Sequence, residues 1–185
     1  MNKLIYIALL LLIVSCNSDD NSSENQISTL TSLESQIGLS YAESIDAWNE
    51  LKTNNGTSYR YQTTFSSFTG FGSVTELTVT NDVVTTRVYQ EFSTDEVTGE
   101  QQIIDSYTET GSQLGNNAKG ATPLTIDQLY ASCAAESLIV DATANTIYFQ
   151  TAVNGLMTLC GFVPDFCADD CYEGIRIDSF DWVNE

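Results

Sequence analysis

The sequence predicts an α+β domain: an antiparallel β-sheet of about seven strands with two main helices packed on one face, in the order α-ββββ-α-βββ. Three observations predict it. Runs of alternating apolar residues are joined by short turn signals, the pattern of hairpin-linked strands. Two segments open with a capping box, the signature of a helix start. The apolar fraction is 42%, enough for residues 40–185 to bury one ordinary core as a single domain.

"SYAE" sets Ser40 three residues before Glu43, the first capping box. Behind it Tyr41, Ile45, Trp48 and Leu51 recur at helical spacing. "NNG" at 54–56 supplies a glycine C-cap. "SYRYQTTF" then alternates Tyr59, Tyr61, Thr63 and Phe65 on one strand face, "TGFGS" turns, and "VTELTVT" aligns Leu77 with Val79. "ND" at 81–82 is a tight hairpin signal. The next strand, "VVTTRVYQEF", puts Val84, Val88 and Phe92 on one face. "DEVTGEQ" turns into "QIIDSYTE", a fourth strand near an edge, and "TGSQLGNNAKGAT" is a long polar loop.

The second helix starts at Thr125, boxed with Gln128, with Leu124 and Leu129 at the positions of a hydrophobic staple. Ile126, Leu129, Tyr130, Cys133 and Leu138 share its inner face. Strand "TIYFQT", turn "VNG", strand "LMTLCGF", a cysteine-bearing loop and a last strand "GIRIDSFDWV" complete the order.

The chain opens "MNKLIYIALLLLIVSC". Lys3 precedes an apolar run, residues 4–14, too short to span a bilayer but suited to a signal peptide. Ile13-Val14-Ser15-Cys16 resembles a bacterial lipobox, which implies cleavage before Cys16 and acylation of that cysteine. Several acyl chains anchor stably, where one binds only marginally. The expected organisation is a lipoprotein signal peptide at 1–15, a lipidated cysteine and polar flexible tether at 16–39, and the domain at 40–185. "NSDDNSSENQ" contains no apolar residue, as a tether requires. Within 27–39, Ile27, Leu30, Leu33 and Ile37 suit either a weak helix or a tether that docks late. Ser18-Asp19-Asp20 resembles the surface-export signal of Bacteroidetes lipoproteins, which implies an outer-membrane, surface-exposed address.

The formal charge is −19. Five dispersed Lys/Arg remain once Lys3 leaves with the signal, so neither nucleic acid nor an anionic lipid patch has a basic footprint to bind. The lipid anchor is then the expected membrane contact. Histidine is absent, which removes Ser-His-Asp and Cys-His catalysis and histidine-ligated metals. "GFGS" at 70–73 reads as a turn rather than a phosphate loop.

Together, the helix tryptophan, "SYRY", "LTVTNDVV", "TIDQLY", "NGL" and "ADD…IRIDSF" resemble a family of small bacterial lipoproteins of uncharacterised function. The resemblance covers roughly residues 45–183 and implies a helix-plus-antiparallel-sheet fold and an extracytoplasmic address. It transfers no catalytic residue, and the cysteine cluster departs from the pattern.

That cluster, "CGFVPDFCADDC", brings Cys160, Cys167 and Cys171 together, with Cys133 as a distant fourth. An even count in an exported chain reads as two disulfides. The spacing is a poor match for zinc knuckles and lacks the redox C-x-x-C. Three pairings are open; Cys133, on the inner face of its helix, is expected to tie that helix to the terminal hairpin. Asp165, Asp169, Asp170 and Glu173 crowd the same loop as a weak calcium candidate. The EF-hand spacing is missing, and a solvated acidic turn is the plainer reading. No other cofactor is expected.

The leading functional expectation is a non-enzymatic binding or accessory lipoprotein. Glycan or small-ligand binding is an alternative, using Tyr59, Tyr61, Tyr89, Tyr107 or Tyr148 as stacking rings. A carboxylate-based hydrolase is another and would need two facing acids in a pocket. The protein or glycan partner is left open.

Overall fold

The computed structural model describes residues 35–95, 97–169 and 171–183. The signal-peptide segment, Cys16, Ser18-Asp19-Asp20, Ile27, Leu30, Leu33 and Asp170 lie outside the described residues.

The fold is α+β with two helices and mostly antiparallel pairing. It has two sheets, where the sequence pattern predicted one. β1 (Ser35–Ile37), β6 (Asn145–Thr151), β7 (Met157–Pro164) and β8 (Glu173–Arg176) form a four-stranded sheet in the order β1-β6-β7-β8. β2 (Tyr59–Ser66), β3 (Phe71–Thr80), β4 (Val83–Thr94), β5 (Gln101–Thr110) and β9 (Ser179–Trp182) form a five-stranded sheet in the order β5-β4-β3-β2-β9. Helix α1 (Tyr41–Asn55) follows β1, and α2 (Ile126–Ser132) follows β5 and runs into a π-helical turn at Cys133–Ser137.

Two features correct the predicted order. A strand precedes α1, because Ser35–Ile37 pairs in parallel with β6. The stretch "GIRIDSFDWV" is two strands in different sheets. β8 pairs with β7, β9 pairs with β2, and the chain crosses between them at Ile177 and Asp178. The crossing is pinned on both sides: the Ile177 amide donates to the Thr158 carbonyl, and the Asp178 amide to that of Gln62. The Asp178 carboxylate also accepts from the Thr64 amide at 2.6 Å.

Both helix starts carry their capping boxes, Ser40 with Glu43 and Thr125 with Gln128. Each box satisfies amides that the first turn leaves without partners. Gly56 ends α1 at φ +89°, with its amide on Lys52 O. Asn81 and Asp82 both take positive φ, as the tight β3–β4 turn needs.

The face expected for β4 is not the one observed. Thr78 pairs with Thr86 but Val79 pairs with Val84, so Thr85 is an unopposed bulge residue. The bulge reverses the alternation: Arg87 and Tyr89 are buried while Val88 is only half-buried. Phe92 lies instead over Gly72, where a Cβ would fall 2.5 Å from its ring.

Both sheets and both helices contribute to a single core. At its centre Trp48 of α1 meets Tyr59, Phe180 and Trp182, with ring centroids 5.3, 5.8 and 5.7 Å away. The buried Tyr130 hydroxyl joins three elements, lying 2.7 Å from Ser44 Oγ and accepting from the Met157 amide at 2.9 Å.

Cys133 is bonded to Cys160, and Cys167 to Cys171. The first ties the turn after α2 to β7 across 27 positions; the second closes the β7–β8 loop. The helix tie is therefore present, and the terminal strand β9 is held by sheet pairing.

Candidate functional site

Where β8 leaves one sheet and β2 runs on past its pairing with β9 in the other, at Thr63–Ser66, the two sheets enclose a cleft. Its outer part, with a cavity volume of about 520 Å³, is lined by Thr63, Phe65, Tyr172, Gly174, Arg176 and Asp178, among others. An inner part of about 210 Å³ shares Thr63, Gly174 and Arg176 and runs toward Tyr61, Leu124 and Leu129. The cleft exists because the crossing at Ile177–Asp178 holds β8 and β9 on different sheets.

Three groups give it chemical character. Arg176 is exposed, and no carboxylate among the described residues forms an ion pair with it. Its guanidinium lies 5.6 Å from the centre of the Tyr172 ring, a cation–π arrangement that orients the side chain. The Tyr172 hydroxyl donates to Ile175 O at 2.8 Å, and burial pushes its pKa up, so it stays a neutral phenol. Phe65 sits at the cleft mouth with its ring exposed. Asp178 is the one acid lining this cleft among the described residues. It is already committed to the Thr64 amide.

The tyrosines singled out from the sequence do not form a stacking row. Tyr59, Tyr61 and Tyr89 are buried. The Tyr59 hydroxyl accepts from the Ile126 amide at 2.9 Å, and that of Tyr61 donates to Leu124 O at 2.6 Å. These two rings seat α2, and only Tyr61 reaches the cleft. Tyr107 stacks on Tyr89 at 5.0 Å under the 110–122 loop, and Tyr148 contacts Tyr172 edge-on at 6.5 Å. Tyr172 and Arg176 were missed because neither stands out until the sheet crossing brings both beside Phe65.

A second polar centre is structural. Arg87 and Glu109, each 2% exposed, pair at 3.0 Å across β4 and β5. Arg87 also donates to Asn117 O and Lys119 O, and Glu109 accepts from the Gly115 and Asn117 amides and the Asn117 side chain. Burial pushes the Glu109 carboxyl up, but these bonds outweigh it and hold the pKa at about 2. Lys119 bridges Glu91 and Asp105 above the same loop.

Asp165, Asp169 and Glu173 are exposed around the Cys167–Cys171 loop. Among the described residues, no group of three or more acidic, cysteine or histidine side chains is placed to hold a metal ion; Asp170 is not among them. No helix of the described residues is long and apolar enough to cross a membrane.

Compared with known proteins, the chain matches no family model, no curated protein and no solved structure.

Proposed function

We propose that the chain is a non-enzymatic binding domain, held at the outer-membrane surface through acylated Cys16, and that the cleft between its sheets takes a small ligand. The lipobox-like "IVSC", the acidic tether sequence and the resemblance to small bacterial lipoproteins support the address. One observation carries the binding reading: an arginine without an ion-pair partner among the described residues, oriented by Tyr172 and lining the same cleft of ligand-binding size as the exposed Phe65 ring. A flat face would stack on Phe65 while one anionic group meets Arg176. A uronic acid or a similar small ring carboxylate has both features. The chain as a whole carries a formal charge of −19 and repels polyanions, so a singly charged ligand fits better than a charged polymer. That Asp178 is the single acid lining the cleft among the described residues supports a binding role over a two-carboxylate hydrolase.

The test is calorimetric titration with galacturonate and other small ring carboxylates against their neutral counterparts. Binding that prefers the acid form and falls at least tenfold in Arg176→Ala is the expected result. Equal affinity for the neutral forms, or binding unchanged in Arg176→Ala, would remove the cleft as the site.

A further inference from the structure

Strand directions fix which loops share an end of the molecule. β8 and β9 follow each other across two residues, β7 runs antiparallel to β8, and β2 runs antiparallel to β9. β2 and β7 therefore both point toward the same end. β2 delivers the β2–β3 turn there, and β7 delivers the cysteine loop. β3 and β5 start at that end and β4 finishes there, which adds the β4–β5 turn. β6 starts there, since Asn145 pairs with Pro164. β1 runs parallel to β6, so Ser35 is the end of β1 nearer to it.

The same end carries the exposed phenylalanines. Phe65, Phe68 and Phe71 surround the β2–β3 turn, and Phe166 tips the cysteine loop. Phe68 is 79% exposed and Phe166 fully so. Val97, on the β4–β5 turn at the same end, is exposed too. Solvent-facing phenylalanines on the turns of one end are costly in water and suit the headgroup–acyl boundary of a bilayer.

We propose that this end of the domain rests on the bilayer that holds the anchor, with Phe68 and Phe166 dipping into the interface. The proposal builds on the acylation of Cys16. Residues 17–34 join Cys16 to β1, at most about 65 Å if fully extended. That length is enough for this end of the domain to meet the bilayer, and tethering raises the effective concentration enough for a shallow contact to persist. The surrounding side chains choose the lipid. Asp95, Glu100, Asp165, Asp169 and Glu173 are exposed around the same loops, so the contact favours zwitterionic headgroups and is repelled by anionic ones. The cleft mouth at Phe65 then opens along the membrane surface.

The experiment uses the chain from Cys16 onward, its disulfides intact, with Cys16 coupled to a maleimide lipid in phosphatidylcholine vesicles. Chemical coupling tests the orientation independently of acylation in the cell, which fatty-acid labelling of the Cys16→Ala variant reads separately. A Phe68→Trp probe should shift to shorter wavelength and be quenched by brominated lipid. A Val153→Trp probe, on the β6–β7 turn at the opposite end, should not be. Replacing phosphatidylcholine with phosphatidylglycerol at low salt should weaken the quenching, as should Phe166→Ser. Equal quenching of both probes, or none at Phe68→Trp, would overturn the proposal. So would a Phe68→Trp shift that depends on protein concentration without vesicles, which would mark the end as a contact between copies.

Discussion

Arg87 and Glu109 face each other 3.0 Å apart across adjacent strands, and each spends its remaining hydrogen bonds on one segment, residues 115–119. The pair works as a clasp: its charges sit in the sheet, and what it holds is the loop folded over the inner face. Gly120 completes the fit at φ +79°, where a Cβ would lie 2.6 Å from the Tyr89 ring.

Glu109→Ala should therefore release the loop as well as lower stability, because Arg87 is left buried without its counter-charge. Limited proteolysis should gain cleavage within 111–120, and the urea midpoint should fall. An unchanged cleavage pattern would mean that Arg87, Tyr107 and Lys119 hold the loop without Glu109. Gly120→Ala should give the same cleavage with the ion pair intact.

The clasp also sets a pH dependence. The Glu109 pKa is about 2 in the folded protein against an ordinary 4.5. A depressed folded value means that its contribution is complete above about 4.5 and is lost as pH falls toward about 2. Urea midpoints measured from pH 6 to pH 2 should drop through that window. Glu109→Gln should be less stable at pH 6 and show a shallower drop; a parallel curve would assign the acid sensitivity to other carboxylates.

The two disulfides should contribute unequally. In the chain-entropy model, the 27-position closure by Cys133–Cys160 is worth about 3.5 kcal/mol and the short Cys167–Cys171 loop about 2 kcal/mol. Chemical denaturation of the paired Cys→Ala variants measures this. A larger loss from the Cys167/Cys171 variant would show that the cysteine loop does more than close a hairpin.

Tyr130→Phe removes one oxygen and leaves the buried Met157 amide and Ser44 hydroxyl short of a partner. The expected cost is about 1–3 kcal/mol. A change below about 0.5 kcal/mol would mean that the remaining groups re-pair among themselves.

Local signals in the sequence translated well. The Ser40 and Thr125 boxes, the Asn81-Asp82 turn and the inward Trp48, Leu77, Val79 and Tyr130 are where spacing placed them. What failed was decided by long-range pairing. Thr85 looks like any strand residue until β3 leaves it unopposed, and that one bulge exchanges Val88 for Arg87 as the inward side chain. Ile175, Ile177, Phe180 and Trp182 change parity across Asp178, and a period-two reading has no means of assigning the halves to different sheets. The cleft inherits that difficulty, because Arg176 and Thr63 are remote in sequence and meet only through the crossing. The cysteines were legible by count and by the inward face of Cys133, while the loop pair Cys167–Cys171 was one of several open combinations.

The aromatic cage around Trp48 carries a consequence for the order in which the molecule can form. Trp48 and Tyr59 come from the first elements of the domain; Phe180 and Trp182 come from the last. β1 likewise waits for β6. Contacts this remote in sequence are paid for in loop entropy before they return anything, which slows folding. The β2–β5 meander can pair from neighbours alone, but the cage has no lid until the final strand arrives. A chain in which Phe180 and Trp182 have not yet docked therefore cannot bury Trp48 fully, and closure of the core waits for β9.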